Sequence, residues 1–477
     1  MFAVAILASS ARAEENSLEN VRAAGARRLS MGVGSCSAQP CHGSARPDPA
    51  KLNLWDIRGD EVTVWIERDP HAQAFRVLSN ERSKQMAQRL KLGVPATEAE
   101  RCLRCHSPLD VASARDGKTT LAEGVSCEAC HGAAQDWLSP HTVAGWRQRP
   151  AAEKKSLGLR ETRNLYARTE ACAACHVGAA PHDGEPGDDV DHELIAAGHP
   201  ALKFELTAFL AKMPKHWEER LPGTNTLPGG DFEARAWAVG QAASAAAALK
   251  LLAYRAGEDR KKPWPEFAEY DCYSCHHQLY GPREQERLAE KKEAATKNIA
   301  GQGVAADGQR LGLPVWGTWY FSLVNAVPES TGDVAKTLGG IDRLMQSPGA
   351  NRRQVAGTAR EAGGRFDAWA KGLAGEQALP LSVPELLGRL KQEAPRVSDR
   401  WDGAAQLYLA LVALHYARHG AQPPPANDPL THSLRETRDR LMFPLAGARR
   451  FDSPRDLDPA AALHERLLPQ IERLLKE

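Results

Sequence analysis

The 477-residue chain has no cysteine standing alone. Its ten cysteines fall into five pairs, each closed by a histidine, and no thiol is left over. From about residue 300 onward there is no cysteine, which places any cysteine chemistry in the first part of the chain. A charge excess of one sign is also missing. With 61 basic and 60 acidic side chains the formal charge is +1, which argues against nucleic-acid binding. Hydrophobic content is 42 %, and no uninterrupted apolar run approaches a membrane span.

Four of the pairs are C-x-x-C-H: Cys102, Cys105 and His106; Cys127, Cys130 and His131; Cys172, Cys175 and His176; Cys272, Cys275 and His276. This is the signature of c-type haem attachment. Two thiols add to the two vinyl groups on one side of a porphyrin, and the next residue then lies under the ring centre, where its imidazole can bind iron. Zinc and disulfides are the rivals. A closed zinc site takes four ligands, so all-cysteine zinc sites would use pairs two at a time, and five pairs do not divide. Neither rival requires a histidine after every second cysteine.

The first pair departs from the rule. In "GSCSAQPCHG" four residues separate Cys36 from Cys41, and His42 follows. A longer loop can still place both sulfurs if it bulges away from the ring, and Gly34 and Pro40 suit such a bulge. We read it as a fifth haem site; the competing reading is an unused or disulfide-bonded pair. Five haem c groups are therefore expected, held by ten thioethers, with His42, His106, His131, His176 and His276 as proximal iron ligands. Each ferric haem adds about −1, so five would bring the chain to about −4. Arg and Lys near the porphyrins should pair with propionates.

The N-terminus reads "MFAVAILASSARAEEN": a short apolar run, then an A-x-A pattern at 11–13. It lacks the usual basic region, but together with covalent haem it points to a signal peptide over 1–13 and a periplasmic or extracellular address; the competing reading is the start of a buried helix. Residues 14–295 are then a pentahaem domain, irregular between motifs and with little regular sheet. Helical spacing marks 200–213 and the Ala-rich 231–258, the latter ending near Gly257. Residues 296–477 read as an all-α domain of amphipathic helices broken by stretches such as "AQPPPANDP". This boundary predicts that a chain ending near 295 keeps its haems. His415 and His419 sit four apart on one of these helices, but without H-E-x-x-H around them they do not read as a metal site. The fold class is mainly α throughout.

"DPHAQAF", "CLRCH", "GVSCEACHG" with His141 ten residues past the motif's histidine, and "CAACH" follow one another in an order that resembles the cytochrome c-554 family over roughly residues 30–180. "GVSCEACHG" is the most specific piece. The resemblance implies electron carriage: the family's members are tetrahaem carriers of nitrifying bacteria that take electrons from hydroxylamine oxidoreductase. It also implies one five-coordinate haem, at the site matching Cys102–His106. The stretched first site, the fifth motif and the C-terminal helices depart from the family pattern.

A second imidazole on the far face of a haem gives the bis-His iron an electron carrier needs. His71 matches a distal-ligand position of the family by local sequence, and His141 is similar. His199, expected to start a helix among small residues, is a third candidate. His192 is a fourth, with His182 and His277 weaker. Met86 and Met213 are read as core. The leading functional reading is an exported electron-transfer protein rather than an enzyme, working with redox partner proteins and no nucleic acid. The alternatives are a multihaem enzyme acting on a small nitrogen or sulfur compound at one open iron, and a redox subunit of a membrane-bound or filamentous assembly.

Overall fold

The computed structural model describes residues 28–55, 57–108, 120–181, 187–219, 232–258, 260–272, 314–328, 332–347, 349–375, 377–378, 381–398, 400–419, 425, 427–442 and 466–476. The signal-peptide reading, Cys275, His276, His182 and His277 lie outside them. The architecture is mainly α. The helices in chain order are α1 (Pro49–Trp55), α2 (Glu61–Arg68), α3 (Glu81–Arg89), α4 (Glu100–His106), α5 (Cys127–His131), α6 (Ala151–Ser156), α7 (Leu165–His176) and α8 (His192–Ala197). They continue with α9 (Leu206–Lys212), α10 (Phe232–Arg255), α11 (Gly332–Met345), α12 (Arg352–Leu373), α13 (Val383–Val397), α14 (Trp401–Arg418), α15 (Pro429–Leu441) and α16 (Leu468–Lys476). Among the described residues there is no strand, only the isolated bridges Ala179–Asp188 and Tyr270–Trp316.

The chain forms two compact units, residues 1–76 with 106–161, and residues 77–105 with 162–477. The division passes through the second motif, between Cys105 and His106. The expected boundary at 295/296 lies outside the described residues. The core of the second unit is built on α10. Its 24 residues are nearly all buried, and α7, α9, α12 and α14 pack around it. The seam with α12 is made of small residues: a Cβ placed on Gly363 would lie 3.2 Å from Lys250 Cγ and 3.5 Å from Leu249 Cβ. The Ala-rich sequence thus forms a helix by propensity and is buried because its backbone can be approached closely. N-caps start α12, α13 and α15: Asn351 accepts from Gln354 N, Ser382 from Glu385 N, and Asp428, just before Pro429, from Thr431 N.

Two sequence expectations change here. By length and mean hydropathy (1.2 in its most apolar window) α10 could cross a membrane, although 89 % of that window is buried within the fold. Small and polar residues interrupt the run, so no continuous apolar stretch showed in the sequence. The helix expected over 200–213 begins only at Leu206, where buried Glu205 caps it through Thr207 N and Ala208 N. His199 therefore does not start a helix; it lies in the chain between α8 and α9.

The first unit contrasts with the second. Among its described residues the buried apolar side chains are Val62, Val64, Trp65, Ala134 and Trp137. That is a thin core for so many residues.

Candidate haem-attachment sites

Three of the C-x-x-C-H motifs each occupy the last turn of a helix: Cys102–His106 in α4, Cys127–His131 in α5 and Cys172–His176 in α7. Residues three apart share a helical face, so each cysteine pair presents two thiols to one side. Of the fifth motif only Cys272 is described, and it is exposed.

The stretched first site is built differently. Cys36 ends a 3₁₀ turn at Val33–Ser35, and residues 37–43 turn back on themselves, with Ala38 O accepting from Cys41 N (2.9 Å) and Gly43 N (3.1 Å). Lys51 ties the loop down, donating to Gln39 O (2.8 Å), Cys41 O (3.1 Å) and Ser44 Oγ (2.8 Å). Pro40 lies in the turn as expected, but Gly34 precedes Cys36. The glycine the loop requires is Gly43, where a Cβ would stand 1.9 Å from Ser37 O. No disulfide joins Cys36 to Cys41.

The third motif is framed by two glycines at positive φ. A Cβ on Gly124 would lie 2.7 Å from His71 O, and one on Gly132 would lie 2.1 Å from Gly158 O. Val125 N donates to the same His71 carbonyl (3.1 Å), and Trp65 Nε1 donates to Val125 O (3.0 Å). Arg160 closes the other end, donating to Ala129 O and Cys130 O.

Five of the candidate ligands share one feature. His106 Nδ1 bonds to Ala74 O (2.9 Å), His141 Nδ1 to Leu138 O, and His199 Nδ1 to Pro200 O (2.8 Å). A carbonyl only accepts, so each Nδ1 carries the proton and the lone pair lies on Nε2. His42 Nδ1 meets Glu61 Oε2 (3.0 Å), and His71 Nδ1 meets Asp69 Oδ1 (2.9 Å), which also accepts from His71 N. Such an Nδ1–H contact to a carbonyl or carboxylate is what orients a metal-binding imidazole. Burial alone would lower the His42 pKa, but the hydrogen bond and charge of Glu61 outweigh it and hold it above the usual range. His141 is held below that range, first by burial.

His42 and His141 come together, with nearly parallel rings (15°) and centres 6.3 Å apart. A metal–imidazole bond of about 2.0 Å, plus about 1.1 Å from nitrogen to ring centre, puts two rings that share one metal ~6.2 Å apart. His176 faces Phe204 and Phe209, at 6.0 and 4.8 Å between ring centres. His192, at the first turn of α8, meets Phe267 edge-on at 5.7 Å, and its N–H donates to Glu266. His415 and His419 lie away from every motif in sequence. His415 Nε2 contacts Thr431 Oγ1 (3.1 Å) and Asp428 (3.2 Å), which ties the end of α14 to the cap of α15.

Thiols of different motifs also meet. Cys36 is in hydrogen-bonding contact with Cys127, which is pushed well above the usual thiol range, first by that bond and then by burial. The sulfurs of Cys105 and Cys175 lie within 4.8 Å of each other and of an Asp188 oxygen. These are three donors where a closed zinc site takes four.

Residues 38–132 match the family described as cytochrome c554 and c-prime. The match covers about a fifth of the chain, a narrower span than the resemblance over residues 30–180. It takes in Cys41, His42, His71 and the second and third motifs, and it stops before the fourth. It supports a c-type cytochrome with covalently bound haem and a role in electron transfer to redox partners. No curated protein and no solved structure matches the chain significantly.

The motifs and the histidine that closes each were legible in the sequence. The supporting groups were not: Lys51, Glu61, Asp69, Glu128 and Arg160 carry no spacing signature of their own. The nearest thing to a signal is Asp69, two residues before His71, where an Asx-type turn is common.

Proposed function

We propose that this chain is a periplasmic or extracellular electron-transfer cytochrome carrying five haem c groups, most of them bis-His, which exchanges electrons with donor and acceptor proteins. The observation that carries the proposal is the His42–His141 pair, whose 6.3 Å separation suits two imidazoles on opposite faces of one iron. Bound haem would supply a one-electron ferric/ferrous couple at each site. The chain's own residues do the rest. Cysteine pairs fix each porphyrin edge, and Nδ1–H contacts aim the imidazoles of His42, His71, His106, His141 and His199. The Cys36–Cys127 and Cys105–Cys175 contacts bring attachment edges of different motifs side by side, as a conduit requires. The thin apolar core of the first unit fits a fold whose interior is filled by porphyrin. The address rests on the A-x-A pattern at the N-terminus and on covalent haem, which is attached outside the cytoplasm.

Haem quantified as the pyridine haemochrome against protein mass should give five per chain, and low-temperature EPR of the oxidised protein should be dominated by low-spin irons. Four haems with Cys36 and Cys41 unmodified would overturn the stretched-site reading. A majority of high-spin irons would overturn the carrier reading.

A further inference from the structure

Glu128 is the residue after the first cysteine in the third motif, and its carboxylate is buried at 6 % exposure. Its partners are backbone N–H groups from two places. Met31 N donates to both oxygens (2.9 Å each), Gly32 N to Oε2 (2.8 Å) and Ala134 N to Oε1 (2.7 Å). Both oxygens act as acceptors only, so the group is an ionised carboxylate. Glu123, four residues before Cys127, takes the next amide, Val33 N (3.0 Å). Three consecutive amides, about a hundred residues away in sequence, are thus held by two carboxylates at the start of the third motif. From Val33 the chain makes a single 3₁₀ turn and reaches Cys36, whose N–H donates to Val33 O (2.9 Å). Cys36 then meets Cys127, and the Glu128 charge acts on both thiols.

We propose that Glu128 is a positioning residue shared by the first and third haem-attachment sites: it pins residues 31–32 against the third motif and lays one fixed negative charge beside both Cys36 and Cys127. The stretched loop alone does not set where Cys36 stands; the clamp upstream of it does. The buried charge favours the ferric state of both haems over the ferrous state, because reduction adds an electron beside an existing anion. This rests on the haem-attachment reading above.

The test uses the full, haem-loaded chain. Peptide masses of the wild type first establish haem on Cys36/Cys41 and on Cys127/Cys130. Glu128→Gln keeps the volume and one acceptor oxygen but removes the charge. In a potentiometric titration it should raise two of the midpoint potentials and leave the others unchanged. Glu128→Ala removes the clamp. Hydrogen–deuterium exchange at Met31 and Gly32 should become about ten-fold or more faster, the scale of losing a hydrogen bond to a charged group. Unmoved potentials in Glu128→Gln, or unchanged exchange in Glu128→Ala, would overturn the proposal. Absence of haem from the two wild-type peptides would overturn the attachment reading and the redox half of this proposal with it, while the exchange data would still judge the clamp on its own.

Discussion

Ending the chain at residue 295 removes α11–α16 and uncovers α10. The magnitude follows from the packing. α10 is buried over nearly its whole circumference, and α12 lies close enough that the Gly363 backbone reaches the Leu249 side chain. Losing the α12 and α14 face exposes on the order of five alanine methyls at ~0.8 kcal/mol each and two larger side chains at ~2 kcal/mol each, or about 8 kcal/mol. A domain's entire stability is about 5–15 kcal/mol. Ties between the halves go as well: Gln241 to Gln406 (3.1 Å), Arg235 to Leu373 O (3.1 Å) and Tyr270 to Met345 O (2.9 Å). The truncated chain should therefore fail to form its second unit. The assay is thermal melting followed by far-ultraviolet circular dichroism, with size-exclusion chromatography to detect aggregation. A monomeric truncated chain that melts cooperatively within a few degrees of the full chain would refute the reasoning and support the boundary at 295/296.

Replacing His141 by Ala should leave haem attached at Cys36/Cys41, since the thioethers and His42 remain, and should convert one iron from low to high spin in the EPR spectrum. Gly124→Ala forces a side chain into a φ of 64° and ψ of −134°, 2.7 Å from the His71 carbonyl. It should cost about 1–3 kcal/mol, read as a lowered melting temperature. Asp367 titrates on a different element. Burial alone would raise its pKa, but hydrogen bonds from Lys250, Lys371 and Tyr166 outweigh that and pull it down to about 2. Its folded pKa lies below its unfolded one. The stabilisation, about 1 kcal/mol after solvent screening, is thus fully present above pH ~4 and lost as the pH falls through ~2. Asp367→Asn should remove that part of the pH dependence of melting.

What the sequence made legible was whatever repeats at short range. C-x-x-C-H is local, and so is helical periodicity. α12, from Arg352 to Leu373, lies in the region read as amphipathic helices, and the Ala-rich segment forms one helix. Contacts between distant segments stayed hidden. Nothing in "CEACH" announces that Glu128 holds Met31, and nothing in "RRQVAGTAREAGGRF" names α10 as the surface its small residues meet. His199 was misplaced for a related reason. The apolar spacing after it is real, but Pro200 and the Glu205 cap delay the helix to Leu206. A cap can be read as a helix start only once the backbone around it is known.

The first unit is complete by residue 161, whereas the second needs residues 77–105, 162–272 and the helices after 314 together. A chain that emerges N-terminus first can therefore close its first and third attachment sites while most of it is still to come. The fourth motif has no such opportunity. Its helix, α7, packs on α10, and α10 waits for α12, which begins only at Arg352. The two units are thus assembled at different times, and the later one stays open to solvent, proteases and misdirected thiol chemistry for longer.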